Sequence, residues 1–289
     1  MVTGGSGFLG SHIADALSEE GHEVTLFDVK ESPYLRSDQT MMVGDLRDRE
    51  AVDRACLGMD YVYHLGAIAD IDVCTDLPFE TMEVNILGTV NLLESCVRNK
   101  VKRMMFSSSI YVHSRSGSFY RISKHACEQI IEEYHLKHDL PYTILRFGTL
   151  YGTRSDEHNS VFRYLRSALT DRKMIFNGKG DEVREYIHVQ DSAQICVKIL
   201  DPEFEGKNLI ITGHHRMKVT ELLEMIREIL GSDVELIHDE SKNVSHYSQT
   251  PFSYMPKTGK KIVMNEYCDL GQSLVEILGE IDESHGDLS

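Results

Sequence analysis

The chain opens Met1-Val2-Thr3-Gly4-Gly5-Ser6-Gly7-Phe8-Leu9-Gly10, and this stretch decides the fold. Apolar and β-branched residues lead directly into a cluster of glycines, and a helical pattern begins at Phe8. The order is therefore a strand, a tight turn and a helix N-terminus. Glycines let the backbone pass close to a pyrophosphate, and the N–H groups and positive dipole of a helix start bind its charge. The stretch predicts a phosphate-binding turn.

The strand before the turn is unusually short. Only Met1 to Thr3 precede Gly4, whereas a strand of a parallel sheet has about five or six residues. We therefore expect either a shortened first strand between two full-length neighbours or a chain from which upstream residues are absent.

Composition excludes several classes of protein. The 289 residues carry a net charge of −16, with 41% hydrophobic and 26% charged residues, as in soluble globular proteins. An acidic chain is a poor partner for nucleic acid. No apolar run approaches the ~18–20 residues that span a bilayer, and no signal-peptide pattern opens the chain, so neither a membrane contact nor secretion is expected.

Cysteine spacing gives no sign of a disulfide framework or a metal site. The six cysteines are scattered, without a Cys-x-x-Cys pair or a histidine at metal-ligand spacing. Reduced, packed cysteines are typical of a cytoplasmic protein, and we predict that location and no bound metal.

Strands and helices alternate through the first half of the chain. The predicted strands are His22–Asp28, Thr40–Val43, Tyr61–Leu65 and Arg103–Phe106, and the predicted helices are Phe8–Glu20, Arg49–Leu57 and Pro78–Lys100. These strands are too apolar to face water and alternate with helices, which predicts an α/β fold. We expect a Rossmann-type doubly wound parallel sheet with helices on both faces. We place this dinucleotide-binding domain at residues 1–152, with core strands continuing to about 215. A smaller α/β C-terminal substrate-binding region covers 153–289.

Asp28 ends the second predicted strand, 18 residues after Gly10. A carboxylate at this spacing binds the ribose hydroxyls of an adenine dinucleotide. Because it would also repel a 2′-phosphate, the sequence favours NAD over NADP as cofactor.

A tyrosine and a lysine begin the helix that runs to about His138. Tyr120 and Lys124 are four residues apart and share one helix face. The pKa of a free tyrosine is ~10, and a nearby ammonium and a nicotinamide cation both favour its phenolate. With a serine from the end of the preceding strand, Tyr120 is a candidate acid and base.

At this point the sequence resembles the extended short-chain dehydrogenase/reductases that act on nucleotide sugars. The matching pieces fall in the family's order across roughly residues 1–230. They are Thr3 to Gly10, Gly44-Asp45-Leu46-Arg47-Asp48, His64-Leu65-Gly66-Ala67, Asn85-Ile86-Leu87-Gly88-Thr89, Ser107-Ser108-Ser109, Tyr120 to Lys124, Arg146 to Gly152, and Arg184 to Asp191.

The resemblance implies a set of cofactor residues. Three glycines would border the NAD pyrophosphate, Asp28 the adenosine ribose, and Asp45 with Leu46 the adenine. The full set is Gly4, Gly7, Phe8, Leu9, Gly10, Asp28, Asp45, Leu46, Leu65, Ala67, Asn85, Tyr120, Lys124 and Phe147.

The resemblance also implies a catalytic trio of Ser109, Tyr120 and Lys124. Counting along the strand from Val101 gives Ser109, whereas counting back from the Ile110-Tyr111 pair gives Ser107. We follow the strand count, because the chain departs from its relatives directly after Ser109.

Three departures distinguish this chain. The linker from Ser109 to Tyr120 is short and lacks the usual Pro-rich, acidic stretch, which makes His113, Arg115 and Ser116 candidate neighbours of the sugar. Ile110 and Tyr111 stand where the sugar dehydratases of the family have an Asp-Glu pair, so a dehydratase is disfavoured. Gly148-Thr149 replaces a bulkier Phe-Asn, which leaves the sugar open.

The remaining predictions concern the substrate side. Arginines can clamp a phosphate, and by resemblance Arg184 contacts a diphosphate, with Asn159, Arg163 and Ser109 also assigned to the substrate. We predict that Thr220 caps a helix that ends at Gly231. We also predict that the polar residues 240–262 close over the substrate, and that a last helix covers Leu274–Ile281.

These observations predict an NAD-dependent epimerase of a nucleotide-activated sugar, acting by hydride transfer at C4 through a transient keto-sugar. The alternative is an NAD-dependent 4-dehydrogenase or reductase that releases the keto-sugar. A third, less favoured hypothesis is a non-catalytic NAD-sensing protein. By resemblance, helices 78–100 and 120–138 would pair in a homodimer through a four-helix bundle.

Overall fold

The structure is a computed structural model that describes residues 1–114, 116–177, 180–214, 216–231, 233–239, 260–264 and 266–286. Arg115 and most of the predicted covering loop, residues 240–259, lie outside the described residues, and so does the end of the chain.

Thirteen strands are defined in this part of the chain. They are β1 (Val2–Thr3), β2 (Val24–Asp28), β3 (Gln39–Val43), β4 (Tyr61–His64), β5 (Arg103–Ser109), β6 (Tyr142–Phe147), β7 (Thr149–Tyr151), β8 (Lys173–Asn177), β9 (Val183–His188), β10 (Lys207–Ile211), β11 (Arg216–Lys218), β12 (Glu235–Asp239) and β13 (Lys260–Lys261).

The α-helices in the same residues number ten. They are α1 (Phe8–Glu19), α2 (Arg49–Cys56), α3 (Ile71–Asp76), α4 (Pro78–Thr81), α5 (Gly88–Arg98), α6 (Ser118–His138), α7 (Ser160–Asp171), α8 (Val189–Lys198), α9 (Val219–Leu230) and α10 (Leu270–Gly286). Met82–Leu87 is π-helical, and Ile110–His113 and Pro202–Phe204 are single 3₁₀ turns. No helix in the described ranges is both long and apolar enough to cross a membrane.

The chain divides into two compact units. The first comprises Met1–Phe147 and Ser192–Ile211, with residues 260–262. The second comprises Gly148–Asp191 together with the described residues of Thr212–Thr250 and of Val263–Ser289.

The first unit is built on an eight-stranded sheet in the order β13-β10-β6-β5-β4-β1-β2-β3, and its strand pairs are parallel. Within this sheet, the strands β3-β2-β1-β4-β5-β6 follow the strand order of dinucleotide-binding sheets. In such sheets the direction of winding reverses between β1 and β4. The Rossmann-type α/β fold predicted from the sequence is confirmed. Ligands of such sheets bind at the carboxyl ends of the strands, beside this reversal point.

The first strand is two residues long, between neighbours of five and four. Val2 pairs with Leu26 on one side and Tyr63 on the other, and it is completely buried. The amino group of Met1 donates to the Tyr61 carbonyl at 2.8 Å, which extends the attachment by one residue.

Helices cover both faces of this sheet. On one face α2, α5 and α6 bury apolar side chains against the strands, among them Val52, Leu92 and Ile131, in one cluster with Met104 of β5. On the other face the Tyr63 hydroxyl donates to the carbonyl of Cys196 in α8 at 2.6 Å. Full burial of each such aliphatic side chain contributes about 1.5–3 kcal/mol, so a dry core fixes the strand ends that carry the site.

The predicted helix Pro78–Lys100 is wrong as a single regular α-helix. It is α4, then the π-helical turn Met82–Leu87, then α5. Two contacts accompany the π-helical turn. The Asn85 side chain bonds the backbone of Ile68. Gly88 packs so closely on Leu46 that a Cβ on Gly88 would lie 2.9 Å from the Leu46 Cβ. A π turn of this kind is frequent at functional sites.

The second unit contains two small sheets. Strands β11-β9-β7 form one, in which β9 pairs antiparallel with β11 and parallel with β7, and β12 pairs parallel with β8. Its core gathers apolar residues of α7, α9 and α10.

Two predicted helix limits in this unit need correction. Thr220 does not cap α9, because the N-cap residue is Lys218. The Lys218 backbone N–H donates to the Glu221 carboxylate at 2.7 Å. The Thr220 hydroxyl donates to the Gly180 carbonyl at 3.0 Å. The last helix also extends beyond the predicted Leu274–Ile281 at both ends.

Candidate active site

The glycine turn is a backbone cradle with no room for side chains. Gly4 has φ +70°, and a Cβ there would lie 2.7 Å from the Gly66 nitrogen at the end of β4. A Cβ on Gly10 would collide with the Gly4 carbonyl oxygen. Glycine is therefore required at both positions, because the turn, the helix start and the β4 end pack backbone against backbone.

The first turn of α1 follows this cradle directly and has no side-chain cap at Gly7 among the described residues. Its N–H groups, including those of Phe8 and Leu9, therefore lack a capping oxygen from these residues. Asp28 lies beside the turn, where its carboxylate accepts from the Ser6 N–H at 3.0 Å. Donors at a helix start with a carboxylate at the next strand end fit a dinucleotide with a free ribose 2′-hydroxyl.

The residues predicted to border adenine are also at this edge. Asp45 is paired with Arg47 at 2.6 Å, and the hydrogen bond from this arginine lowers the pKa of the Asp45 carboxyl. Leu46 is buried, and its side chain packs against Gly66. Leu65 and Ala67 follow β4 and are half-buried.

Asn85 is placed as a brace behind the cradle. Its side-chain oxygen accepts from the Ile68 N–H at 2.8 Å, and its amide donates to the Ile68 carbonyl and the Ser123 hydroxyl, each at 2.9 Å. With 2% exposure, the side chain links the segment after β4 to helix α6.

A buried histidine was not predicted as part of this site. The Thr3 hydroxyl accepts from the Leu65 and Gly66 N–H groups and lies 2.8 Å from His64 Nδ1. Nε2 lies 2.9 Å from the Thr89 hydroxyl, which donates to a backbone carbonyl. With its acceptor sites occupied, Thr3 donates to Nδ1, so Nε2 carries the proton.

This histidine is neutral. Burial, and secondarily the charge of Lys124, lower the pKa of His64 to about 3. A strand-end histidine carries no sequence signal for such a role, since its partners Thr3 and Thr89 are 61 and 25 residues away.

The predicted trio comes together at the ends of β5 and α6. The Ser109 hydroxyl lies close enough to Tyr120 to oppose the rise of its pKa, and it accepts from the Tyr111 N–H at 3.3 Å. The Lys124 ammonium donates to the Ser107 carbonyl at 2.8 Å and lies 5.8 Å from the centre of the Tyr120 ring. Tyr120 thus lies beside both Ser109 and Lys124.

The contacts distinguish the two candidate serines. Only the carbonyl of Ser107 takes part in the contacts described for it, and the hydroxyl of Ser108 turns away to Glu128. The hydroxyl that meets Tyr120 is that of Ser109, and Ser109 pairs in register with Phe147 at the end of β6.

Burial controls the protonation of the tyrosine and the lysine. It raises the pKa of Tyr120 to about 12, although the Ser109 hydrogen bond acts in the opposite direction. Burial also lowers the pKa of Lys124 to about 8, and the largest opposing effect comes from Cys127. The protein alone therefore holds Tyr120 as a phenol, and the predicted phenolate requires further positive charge at the site.

The short segment after Ser109 forms a 3₁₀ turn that contains Ile110, Tyr111 and His113. Burial, with a smaller effect of Arg146, lowers the pKa of His113 to about 4. Ile110 is buried at 1% exposure. No carboxylate therefore occupies the two positions that follow Ser109.

Residues predicted for the substrate lie in the second unit. Arg184 on β9 is 9% exposed. Burial raises the pKa of Tyr164, and the charges of Arg163 and Arg184 oppose this rise. Asn159 caps α7: its side-chain oxygen accepts from the N–H groups of Val161 and Phe162 at 2.9 and 3.2 Å, and its amide donates to the Leu150 carbonyl. Arg163 donates to the Glu157 carbonyl at 2.6 Å.

Two further observations bear on the chemistry. A Cβ on Gly148 would lie 2.7 Å from the Thr212 methyl carbon, so a bulkier residue does not fit here unless Thr212 shifts. Within the described ranges, no group of three or more His, Cys, Asp or Glu side chains is arranged to hold a metal ion.

A doubly wound sheet with a glycine cradle, an acid after β2 and a Ser-Tyr-Lys trio defines an NAD-dependent enzyme of the short-chain dehydrogenase/reductase class. The sequence profile of the NAD dependent epimerase/dehydratase family matches residues 1–212. The chain belongs to this family.

Known relatives span most of the chain. A UDP-N-acetyl-alpha-D-glucosaminuronate decarboxylase of Bacillus cytotoxicus is 25% identical over 264 residues, 82% of each protein. A putative UDP-glucose 4-epimerase of Methanocaldococcus jannaschii is 27% identical over 268 residues, 86% of this chain and 87% of the relative. The structure of a UDP-glucose 4-epimerase of Thermus thermophilus in complex with NAD has a TM-score of 0.81 at 25% identity, covering 97% of this chain and 98% of the other.

Proposed function

We propose that this protein is an NAD-dependent 4-epimerase of a nucleotide-activated sugar, with a UDP-sugar as the first substrate to test. The observation that carries the proposal is the position of Ser109 and Lys124 beside Tyr120, at the carboxyl edge of a sheet whose first turn is built from closely packed glycines. The relatives that act on UDP-linked sugars support the choice of nucleotide.

Each member of the trio has a role in this reaction. Tyr120 removes the proton from the C4 hydroxyl and returns it when the ketone is reduced on its other face. Ser109 bonds the same oxygen of the sugar. Lys124 adds positive charge beside the phenol and would hold the nicotinamide ribose. NAD, when bound, would supply the hydride acceptor and the additional positive charge that Tyr120 needs to act as a base near neutral pH.

The cofactor would be held by the residues that line the cradle. Gly4, Gly7 and Gly10 leave the backbone open to the pyrophosphate, with the N–H groups of Phe8 and Leu9 at the helix start. Asp28 would bind the adenosine ribose, and Asp45, Leu46, Leu65, Ala67 and Phe147 complete the proposed set.

The absence of an acid after Ser109 supports epimerisation over dehydration. Elimination of water from a sugar needs a general acid and a general base beside the reacting carbons. Buried Ile110 and the phenol of Tyr111 stand in those positions, so the keto-sugar is expected to be reduced again rather than dehydrated.

The substrate diphosphate is assigned to Arg184, with Arg163 as the second candidate. Guanidinium binds phosphate oxygens in pairs, and Arg184 is preferred because it is nearly buried on β9. Each arginine already donates to a backbone carbonyl, Arg184 to that of Val183 and Arg163 to that of Glu157, and Asn159 is used as a helix cap.

The test is to incubate the protein with UDP-, GDP-, dTDP- and CDP-sugars, follow NADH absorbance, and identify products by mass spectrometry and NMR. An isomerised product at constant absorbance supports the epimerase. Stoichiometric NADH with a product two mass units lighter supports the dehydrogenase, and CO₂ released from a UDP-hexuronic acid would point to decarboxylation, as in one relative. NAD binding without turnover of any sugar favours the sensor.

The matched variants are Tyr120→Phe and Tyr134→Phe. Loss of the proton-transferring hydroxyl is expected to lower kcat about 10²–10⁴-fold. Tyr134 lies on the same helix, and its hydroxyl contacts only Glu94 among the bonds described for it. If Tyr120→Phe retains wild-type kcat, the proposed role of the trio is wrong.

We also propose a cytoplasmic homodimer. Exposed apolar side chains on α4, the π turn and α6 support pairing of these helices, as in the four-helix bundle that the resemblance implies. The six free cysteines, five of them buried, support a reducing compartment.

A further inference from the structure

Three consecutive serines at the end of β5 hold three residues on one face of α6. The helix residues are Tyr120, Lys124 and Glu128, spaced four apart. The Ser107 carbonyl accepts from Lys124 at 2.8 Å, and the Ser108 hydroxyl donates to Glu128 at 2.5 Å. The Ser109 hydroxyl lies close enough to Tyr120 to act on its pKa. The first and third of these contacts involve the proposed catalytic residues, and the second does not.

Glu128 is also bound by an arginine from the next strand. Arg146 Nε and Nη2 donate to the two carboxylate oxygens at 2.9 and 2.7 Å, and the two side chains are only 3% and 2% exposed. Arg146 lies opposite Ser108 in the register of β5 and β6. The carboxylate of Glu128 therefore joins α6 to both strands through side chains.

A buried ion pair is a poor way to stabilise a fold. Desolvation of the two charges offsets their attraction, and an apolar pair of the same volume is often as stable or more so. What the pair provides is direction, because a bidentate arginine fixes both the position and the orientation of the carboxylate. The carboxylate in turn fixes the rotation and the axial position of α6 against β5.

We propose that Ser108, Glu128 and Arg146 form a clamp that positions Tyr120 and Lys124 against Ser109 for catalysis. The inference rests on the proposed function, since it concerns the geometry of the proposed trio. Glu128 and Arg146 are positioning residues: they touch neither reacting atom and act through the helix that carries Tyr120.

The carboxylate of Glu128 also acts on Lys124 through its charge. It raises the pKa of this lysine, against the larger lowering effect of burial. The titratable groups that face Lys124 are Tyr120, His64, Cys74, Cys127 and Glu128. A change at Glu128 that keeps its charge therefore tests position, and one that removes the charge tests both effects together.

The clamp is tested with Glu128→Asp and Ser108→Ala, against Glu133→Gln as control. Aspartate keeps the charge but is one methylene shorter, so it cannot reach Ser108 and Arg146 at once. We expect Glu128→Asp to lower kcat about 10²-fold, as for a displacement of about 1 Å at a reacting group, and Ser108→Ala to lower it about tenfold. KM for the sugar and Kd for NAD stay within twofold. Glu133 is exposed on the same helix, and its variant is expected to match wild type.

A second readout does not depend on turnover. With ¹³Cζ-labelled tyrosine, the NMR signal of Tyr120 is assigned by its loss in Tyr120→Phe. The clamp variants are expected to shift this signal in the protein without added ligand, and Glu133→Gln is not.

The outcomes separate the two proposals. An inactive wild type whose Tyr120 signal still moves in the clamp variants overturns the proposed function and keeps the clamp. If Ser108→Ala and Glu128→Asp lower only Tm, with kcat and the Tyr120 signal unchanged, the clamp proposal is overturned. Should Glu128→Asp fail to fold, Ser108→Ala decides alone, because it leaves the ion pair intact.

Discussion

At the scale of single residues, His64 shows how burial selects one protonation state. Both ring nitrogens are committed, Nδ1 as acceptor from Thr3 and Nε2 as donor to Thr89. A second proton would break the bond from Thr3 and place a charge in a site that is 1% exposed. The neutral ring is therefore part of the fold around the glycine turn.

This state predicts a pH dependence of stability. The pKa of His64 is about 3 in the folded protein, against 6.5 as its ordinary value. Between these values the unfolded chain binds a proton that the folded chain does not, so the free energy of unfolding falls as pH drops below 6.5. At about pH 5 the loss attributable to this group is about 2 kcal/mol relative to about pH 7.

The measurement is urea unfolding at the two pH values for wild type, His64→Gln and His22→Gln. Glutamine does not titrate, so His64→Gln is expected to lose about 2 kcal/mol less than wild type between them. His22 is exposed, and its variant should follow wild type. Equal losses in wild type and His64→Gln would contradict the assignment.

At the scale of elements, the glycine turn and α1 depend on close backbone packing. Gly10→Ala places a methyl group against the Gly4 carbonyl, so the turn must open. We expect the Kd for NAD to rise at least about tenfold, since the pyrophosphate relies on these N–H groups. Calorimetric titration of NAD measures the change.

Gly279→Ala is the matched control for this variant. Gly279 lies in α10, and no atom is within 4 Å of an added Cβ. The exchange should raise the free energy of unfolding by up to about 1 kcal/mol, because alanine is the better helix former, without an effect on NAD. An unchanged Kd in Gly10→Ala would show that the turn is not the pyrophosphate site.

The role of Asn159 can be decided by the same reasoning. As the N-cap of α7 it bonds two backbone N–H groups, so Asn159→Ala is expected to cost about 1 kcal/mol of stability and Asn159→Asp much less. KM for the sugar should stay within twofold in both. Denaturant unfolding and steady-state kinetics measure the two quantities. A KM raised tenfold at unchanged stability would restore its assignment to the substrate.

The elements that the sequence predicted are those with a local signal. Apolar runs and glycine turns recur at short spacing in the chain. This local pattern was enough to predict β2 to β5, α1, α2 and the helix face shared by Tyr120 and Lys124. The π turn at Met82–Leu87 and the cap of α9 were not predictable in this way, because their partners Ile68 and Gly180 are distant in the chain.

The same distinction applies to the candidate site. The sequence placed Ser109, Tyr120 and Lys124 together, since their motifs resemble a family pattern. The clamp and the His64 bonds were missed because Arg146 and His64 are single charged or titratable residues in mainly apolar strands, and Glu128 is one of several charged residues on α6. Only the fold shows that each is buried beside a partner 18 or more residues away.

At the scale of the whole molecule, four large apolar side chains of the first unit are exposed on neighbouring helices. Phe79, Leu87, Phe119 and Ile122 are 69%, 56%, 37% and 44% exposed. They belong to α4, the π turn and α6, and α6 packs directly against the other two elements. A cluster of large apolar side chains on neighbouring helices is the usual mark of a protein interface.

The last prediction follows from this surface. If two copies pair through these helices, the two-fold symmetry of the interface places Leu87 in or beside an apolar contact on both subunits. The substitution Leu87→Glu then buries two carboxylates that have no partner of opposite charge. Light scattering at micromolar concentration should give twice the chain mass for wild type and a monomer mass for Leu87→Glu. Leu57, at the end of α2, is 71% exposed and belongs to none of these helices, so Leu57→Glu should remain a dimer. A monomeric wild type, or a dimer that Leu87→Glu leaves intact, would exclude this interface.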